Sequence, residues 1–474
     1  MATSHPQTPM SKQGLHALLD AQTKAYYSQG IPPLEQRLEY LDTLFNILKT
    51  NQHAIAEAIS NDFGHRAHQE TRLAELFLCI DGIRYARKRL KKWMRPQKRS
   101  TSMWLLGSHN TVIPQPLGVV GIVVPWNYPL FLCISPLIGA LAAGNRCMIK
   151  MAANSNHLSQ LLHGLFAERF SADMLTIVPG AKGSDFSALP FDHLIFTGSG
   201  HSGRQVMRAA ADNLTPVTLE LGGKSPTIIA PDYSITKAAE RLLFSKCLNA
   251  GQTCVAPDYL FVPEGKVDEF ITAAKAIISG RYSGIESTDY TSIINDKAYL
   301  RLKNTLADAI DQGATATVLV PNSVANDATR KFPPTLLTGV TSTMRVMQEE
   351  IFGPILPIMT YQHFDDVLHY INGQDRPLAL YLFSDDKDMQ AKVINKTRSG
   401  GVCLNDATLH VGQNDLPFGG SGESGMGQYH GTEGFMAMSK LRPIFKQARY
   451  TSLSMMYPPY GKTFDRIIKI MLRF

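Results

Sequence analysis

At 474 residues, with 44% hydrophobic and 18% charged residues, the chain has the make-up of a globular protein with two or three cored domains, and neither a disordered nor a membrane-embedded body fits it. The formal net charge of +7 is locally concentrated, since Arg84 to Arg99 holds nine basic residues and no acid. With no nucleic-acid-binding motif around it, that stretch reads as a solvated helix with Tyr85, Leu90 and Trp93 as its apolar face, and no nucleic-acid partner is expected.

The N-terminal segment lacks the apolar core of a signal peptide, so a cytoplasmic setting is expected. Residues 11 to 95 read as helices: Leu34, Leu38, Leu41, Leu44, Phe45 and Leu48 recur at helical steps, and Glu70 to Leu90 makes a further helix. The grammar then changes. After the extended, proline-marked Val112–Gly118, Val119–Val124 is an unbroken apolar run, as in a strand covered on both faces. Helices at 136–143, 157–170 and 202–212 alternate with strands at 146–150, 175–178, 191–196 and 216–220, which argues for a mostly parallel sheet of dinucleotide-binding type. A second α/β stretch runs from about Lys224 to Asn405, with helices at 236–248, 266–280 and 296–312. The tail from Phe464 to Phe474 is apolar and basic, far too short to span a bilayer, and is expected to dock on the body of the protein rather than on a membrane surface.

The six cysteines (79, 133, 147, 247, 254 and 403) show neither C-x-x-C nor His-rich spacing, so no metal and no disulfide framework is expected. One of them stands apart. In Asn249-Ala-Gly-Gln-Thr-Cys254-Val-Ala-Pro257 small and polar residues carry a single thiol between a helix and a strand, with glycine close by. A lone cysteine is commonly a small buried hydrophobe; as a nucleophile it needs a base, and Glu220 in Thr218-Leu-Glu-Leu-Gly-Gly-Lys224 is the candidate.

Gly198-Ser-Gly-His-Ser-Gly203 matches G-x-G-x-x-G between a strand and a helix, which suits phosphate on a helix N-terminus. The ordinary reading of that motif makes Glu220 a ribose ligand. The motif's late place in the sheet and the Gly-Gly after Glu220 favour a chemical role instead. Val124-Pro-Trp-Asn127-Tyr-Pro129 ends the first buried strand, where open α/β sheets hold ligands, and Asn127 there is either a fixed amide donor or a turn residue. Lys150 at the next strand end is either a ribose or phosphate contact or a surface lysine. Gln348-Glu-Glu-Ile-Phe-Gly-Pro354 and the glycine-dense Leu416–Gly427 complete the set.

Jointly, in order and spacing from about residue 30 to 445, these stretches resemble the aldehyde dehydrogenase superfamily. Its class 3 branch is the most similar, and within it the coniferyl aldehyde dehydrogenases, through Cys247–Tyr259 and Lys150–Ser155. The resemblance implies a Rossmann-like cofactor domain, a second α/β catalytic domain and a small β oligomerisation arm. It divides the chain into 1–98 and 116–223 with 418–439 returning to them (cofactor domain), 224–417 (catalytic domain), 99–115 and 440–456 (arms of a homodimer) and 457–474 (tail). It also implies NAD-dependent oxidation of an aldehyde, aromatic such as coniferyl aldehyde or medium-chain aliphatic. Cys254 would attack the carbonyl, Asn127 and the Cys254 N–H would hold the oxyanion with donors worth about 3–4 kcal/mol each, and Glu220 would activate the hydrolytic water.

Cofactor contacts would come from Trp126, Lys150, Gly198, Ser199, Gly203, Leu221, Glu350 and Phe352, with Tyr128 and Thr253 beside the substrate. Two positions depart from the family pattern. Ala153 stands where an acid commonly binds the adenosine ribose, which opens the way to NADP as well as NAD, and Gly200 replaces a common threonine. The rival expectations are a CoA-acylating enzyme, which has no need of a base at 220, and a catalytically inert binding protein of the same fold.

Overall fold

A computed structural model describes residues 10–473. Six strands form one sheet in the order 425–426, 217–220, 193–197, 119–124, 146–151 and 175–177; all are parallel except 425–426. Every residue of Val119–Val124 is buried. Val120, Ile122 and Val124 join Leu44, Leu137 and Leu141 in the core on one side, while Val119 and Val123 meet Leu15, Leu19 and Met148 on the other. The two-residue period of a strand sends alternate side chains to two separate cores, which explains why the run is apolar throughout.

Seven further strands make a second sheet, in the order 315–318, 335–338, 355–361, 257–263, 225–229, 379–383 and 401–404. The same alternation recurs there. Tyr259 and Phe261 face one core and Leu260 and Val262 the other. A third, three-stranded antiparallel sheet joins 97–99, 109–116 and 439–446. Its outermost strand exposes seven of its eight residues, Ile444 and Phe445 among them.

Three sequence expectations need correction. The helix expected from Pro136 runs from Phe131 to Ala143 and carries the proline inside it. Interior proline is ordinarily a helix breaker. Here the helix start is fixed from outside, because the buried Glu75 carboxylate accepts the N–H groups of Leu130 and Phe131 at 2.7 and 3.0 Å, an anion at a helix N-terminus. The helix expected over Glu70–Leu90 is interrupted by a π-helical turn, Arg72–Phe77, between α-helical His68–Thr71 and Leu78–Trp93. The basic stretch lies on that last segment only as far as Trp93, with Leu90 and Trp93 buried and Arg84, Arg87, Lys88, Lys91 and Lys92 exposed, and its end, Lys98 and Arg99, belongs to the strand 97–99.

The C-terminal helix Lys462–Met471 has no buried residue, so the body of this chain does not cover it as expected. Among the described residues no helix is long and apolar enough to cross a membrane.

Candidate functional site

In the six-stranded sheet four adjacent parallel strands deliver their carboxyl ends to one edge. They carry Trp126 and Asn127, Lys150, Gly198 and Ser199, and Glu220. The loop bearing Cys254 meets this edge from the second sheet. Its helix, Ile235–Cys247, stops at Leu248, and Asn249, Ala250 and Gly251 follow at φ +53°, +50° and +73°. Left-handed backbone costs about 1–2 kcal/mol per non-glycine residue. Only glycine fits at 251, where a Cβ would lie 2.4 Å from the Gly353 carbonyl oxygen.

Buried hydrogen bonds hold the strained turn. The Asn249 N–H donates to the Glu70 carboxylate at 3.2 Å, and Asn249 Nδ2 donates to the carbonyls of Asn127 and Gln252 at 2.9 and 3.1 Å. The Gln252 amide donates to the Ser292 carbonyl at 3.1 Å and accepts from the Ile294 N–H at 2.9 Å. Asn127 Nδ2 donates to the Gln252 carbonyl at 3.2 Å, and Tyr128 Oη lies 2.9 Å from Thr253 Oγ1. Strand end and cysteine loop are thus sewn together residue by residue, and Asn127, Tyr128, Thr253 and Cys254 converge.

Cys254 is half-buried in the wall of a cavity of about 320 Å³ whose sides are mostly apolar: Leu73, Phe77, Phe131, Phe244, Leu409 and Phe418, with Tyr128 and Thr253 next to the sulfur. Burial pushes the thiol up to about 12, helped by the nearby carboxyls of Glu350 and Glu220, while its own N–H and that of Val255 pull the other way. Glu220 is 2% exposed, neither carboxylate oxygen has a protein partner, and burial pushes its carboxyl well above the usual range. A buried carboxyl without a partner is costly unless water or a ligand completes it. The backbone around it is fixed on both sides, by the Gly198 N–H donating to the Glu220 carbonyl at 3.0 Å and by Gly425 opposite it in the ladder.

The residues assigned to a dinucleotide form a second group along the same edge, and they suit such a ligand. A Cβ at Gly203 would strike Leu221 at 2.7 Å, and one at Gly198 would strike the Phe196 ring at 2.6 Å, so backbone lies bare at the turn. At Gly222 a Cβ would fall 2.4 Å from the Glu350 carboxylate. Glu350 keeps one oxygen without a partner, and burial holds its carboxyl at about 8. Lys150 is half-buried, and burial lowers its ammonium from the usual value. Trp126 and Phe352 meet edge to face at 5.4 Å, with Phe352 at φ +46°. Ser199 is exposed and its hydroxyl accepts the Ser202 N–H at 3.3 Å, so it caps its own helix.

Sequence reasoning missed the far wall of the cavity and the support beneath the loops. Leu73 and Phe77 lie on the π-helical turn, Phe244 on the helix before the cysteine, and Leu409 and Phe418 more than 150 residues later. No spacing rule joins them. Phe418 alone sat in a stretch already singled out, the glycine-dense loop. The buried Arg66 and Glu75 and the half-buried Glu70 likewise sit in a region whose periodicity signals only helices.

The sequence profile described as "Aldehyde dehydrogenase family" matches residues 10–444. A probable coniferyl aldehyde dehydrogenase of Pseudomonas aeruginosa is 50% identical over 463 residues, covering 97% of this chain and 96% of the relative. Among solved structures, the substrate-bound state of Staphylococcus aureus AldH superposes with a TM-score of 0.90 at 37% identity, covering 96% of this chain and 99% of that one. A Mycobacterium tuberculosis aldehyde dehydrogenase complexed with NAD+ superposes with a TM-score of 0.83 at 27% identity, covering 94% and 92%.

Proposed function

The chain belongs to the aldehyde dehydrogenase family and is an NAD(P)-dependent aldehyde dehydrogenase; from that premise we propose that it oxidises an aromatic aldehyde such as coniferyl aldehyde, or a medium-chain aliphatic one, to the carboxylic acid, with Cys254 as nucleophile and Glu220 as hydrolytic base. The observation that carries this reading is a thiol in the wall of an apolar cavity of about 320 Å³, with a buried carboxyl lacking any partner close enough to influence it. The P. aeruginosa relative is a probable coniferyl aldehyde dehydrogenase, and a cavity lined by Phe131, Phe244 and Phe418 suits a flat ring or an alkyl chain.

Cys254 attacks the aldehyde carbon as the thiolate, its proton having gone to solvent, and the carbonyl oxygen becomes an oxyanion. The Cys254 N–H and the Asn127 amide stabilise it, once Asn127 turns one N–H from the Gln252 carbonyl or uses its second one. When bound, the dinucleotide supplies the acceptor for the hydride that leaves the adduct carbon. The carbon is then an acyl group on sulfur. Glu220, desolvated and therefore a stronger base than a solvated carboxylate, takes a proton from water as the water attacks the thioester. Lys150 and Glu350 hold ribose hydroxyls, Trp126 and Phe352 pack on the cofactor with Leu221, and the bare turn at Gly198, Ser199 and Gly203 admits the pyrophosphate.

The strand 439–446, with its exposed Ile444 and Phe445, supports a homodimer built through the three-stranded sheet. A panel of aromatic and aliphatic aldehydes, followed by NADH and NADPH absorbance, tests the reading; no turnover with any of them sinks it.

A further inference from the structure

Tyr429 belongs to two places at once. Its ring packs with Val255, Phe418 and the partly buried Cys254 in a small cluster behind the thiol. It also lines a separate cavity of about 30 Å³, together with His430, Trp93, Tyr85 and Asn414. The loop that carries it is fastened to the strand that carries Glu220. Gly425 pairs with Glu220, the Leu221 N–H donates to the Ser424 carbonyl at 3.0 Å, and Tyr429 exchanges both backbone hydrogen bonds with Phe418 at 2.9 and 2.8 Å.

Along this line three buried polar side chains lack partners: both oxygens of Glu220, the Tyr429 hydroxyl and His430 Nε2. Each is unfavourable unless water or a mobile proton completes it. His430 is held at φ +83°, its ring stacked on Phe418 at 5.5 Å and edge-on to Tyr429 at 4.7 Å. The cavity beyond has room for about one water molecule. Past it, Asn414 donates to Asp81 at 2.6 Å and the Tyr85 hydroxyl donates to the exposed Asp415.

We propose that Glu220, Tyr429 and His430, with water in this small cavity, form a proton-exit path from the acyl-enzyme site to the surface at Tyr85 and Asn414. The proposal rests on Glu220 being the hydrolytic base. Each hydrolysis leaves Glu220 with one proton taken from the attacking water. That proton passes by way of water to Tyr429 Oη, which lies beyond direct hydrogen-bond reach of the carboxylate, as the phenol's own proton moves on to the cavity water and, through it, to His430 Nε2 or to bulk solvent. No electrons move, neither Tyr429 nor His430 keeps a charge, and the carboxylate at 220 is restored. Burial suits both relays to stay neutral between turnovers, raising the phenol and holding the imidazole at about 4. The route leads away from the aldehyde cavity, so proton release need not wait for product to leave.

The test follows Tyr429→Phe and His430→Asn during turnover by intact-protein mass and by NADH formation. Acylated Cys254 is expected to accumulate, steady-state turnover to fall at least tenfold, and the first-turnover rate of NADH formation to stay at the wild-type value. If the hydroxyl were merely structural, removing an unpartnered group would leave turnover unchanged. Deacylation at the wild-type rate in Tyr429→Phe therefore overturns the path, as does an equal fall in first-turnover and steady-state rates. Glu220→Gln separates this idea from the one beneath it. Should that variant trap acyl-enzyme while Tyr429→Phe does not, only the exit path fails. Wild-type turnover in Glu220→Gln removes both.

Discussion

Arg66 Nη1 donates to Glu75 Oε1 at 2.7 Å with both side chains fully buried, and each partner also grips the loop that carries Asn127. Arg66 reaches the Asn127 carbonyl at 3.3 Å and stacks its guanidinium over the Tyr128 ring, 4.9 Å from its centre. Glu75 holds the N–H groups of Leu130 and Phe131. An ion pair made among the N-terminal helices thus fixes the loop between strand 119–124 and helix 131–143.

Breaking that pair strands a charge in the core. Arg66→Met is expected to destabilise the fold by about 3–5 kcal/mol, read as a drop in the urea midpoint at unchanged slope. Removing both charges in Arg66→Met/Glu75→Leu is expected to cost less than the two single changes summed. Strict additivity would mean the two side chains do not act together.

The thiol of Cys254, held at about 12, is expected to react slowly with iodoacetamide near neutral pH, the rate rising tenfold per pH unit as the thiolate fraction grows. Glu350 is the largest charge opposing the thiolate and itself ionises at about 8. Glu350→Gln is therefore expected to match wild type below pH 8 and to react faster above it. A rate already at its plateau by pH 9 would contradict the assignment.

Cys254→Ala is expected to abolish turnover and leave dinucleotide binding, followed by protein fluorescence, within about twofold, since the sulfur lies in the aldehyde cavity. Residual turnover above a thousandth of wild type would point to another nucleophile.

Ala153, itself exposed, opens the turn Ala153–Ser155 just past strand 146–151, and its methyl cannot repel a ribose 2′-phosphate. Ala153→Glu is expected to raise the KM for NADP by about tenfold, equivalent to about 1.4 kcal/mol, with the KM for NAD little changed. Equal shifts in both would move the adenosine subsite elsewhere.

His193 is buried, its Nε2 lies 3.0 Å from Thr218 Oγ1, and burial lowers its imidazole to about 4. The unfolded chain takes up this proton at about 6.5 and the folded one only near 4. Between those values the unfolded state binds more protons, so stability falls as pH falls, by up to about 1.4 kcal/mol per pH unit for this residue. Glu220 and Glu350, with carboxyls raised by burial, work in the opposite sense above the ordinary carboxylate range. The informative quantity is thus the difference between His193→Asn and wild type, expected to be flat above pH 7 and to grow below 6.5.

Val119–Val124 announced itself as a doubly covered strand because both faces of a parallel strand must be apolar, and strand–helix alternation then forced a sheet with its loops at one edge. The positions of Asn127, Lys150, Glu220 and Cys254 at strand ends or in a loop were legible for the same local reason. The helix through Pro136 was not, because what starts it is a carboxylate 55 residues earlier in the chain.

By itself the sequence determined the α/β architecture, the family and the chemical groups on offer, since periodicity, turn residues and short motifs are properties of neighbours along the chain. Only the tertiary structure decided which of them meet. The apolar walls gathered from 73, 244, 409 and 418, the Arg66–Glu75 clamp and the line from Glu220 to His430 join positions with no fixed spacing. Desolvation, which sets Cys254 and Glu220 away from their ordinary titration, depends on everything packed around them and has no signature in the order of residues.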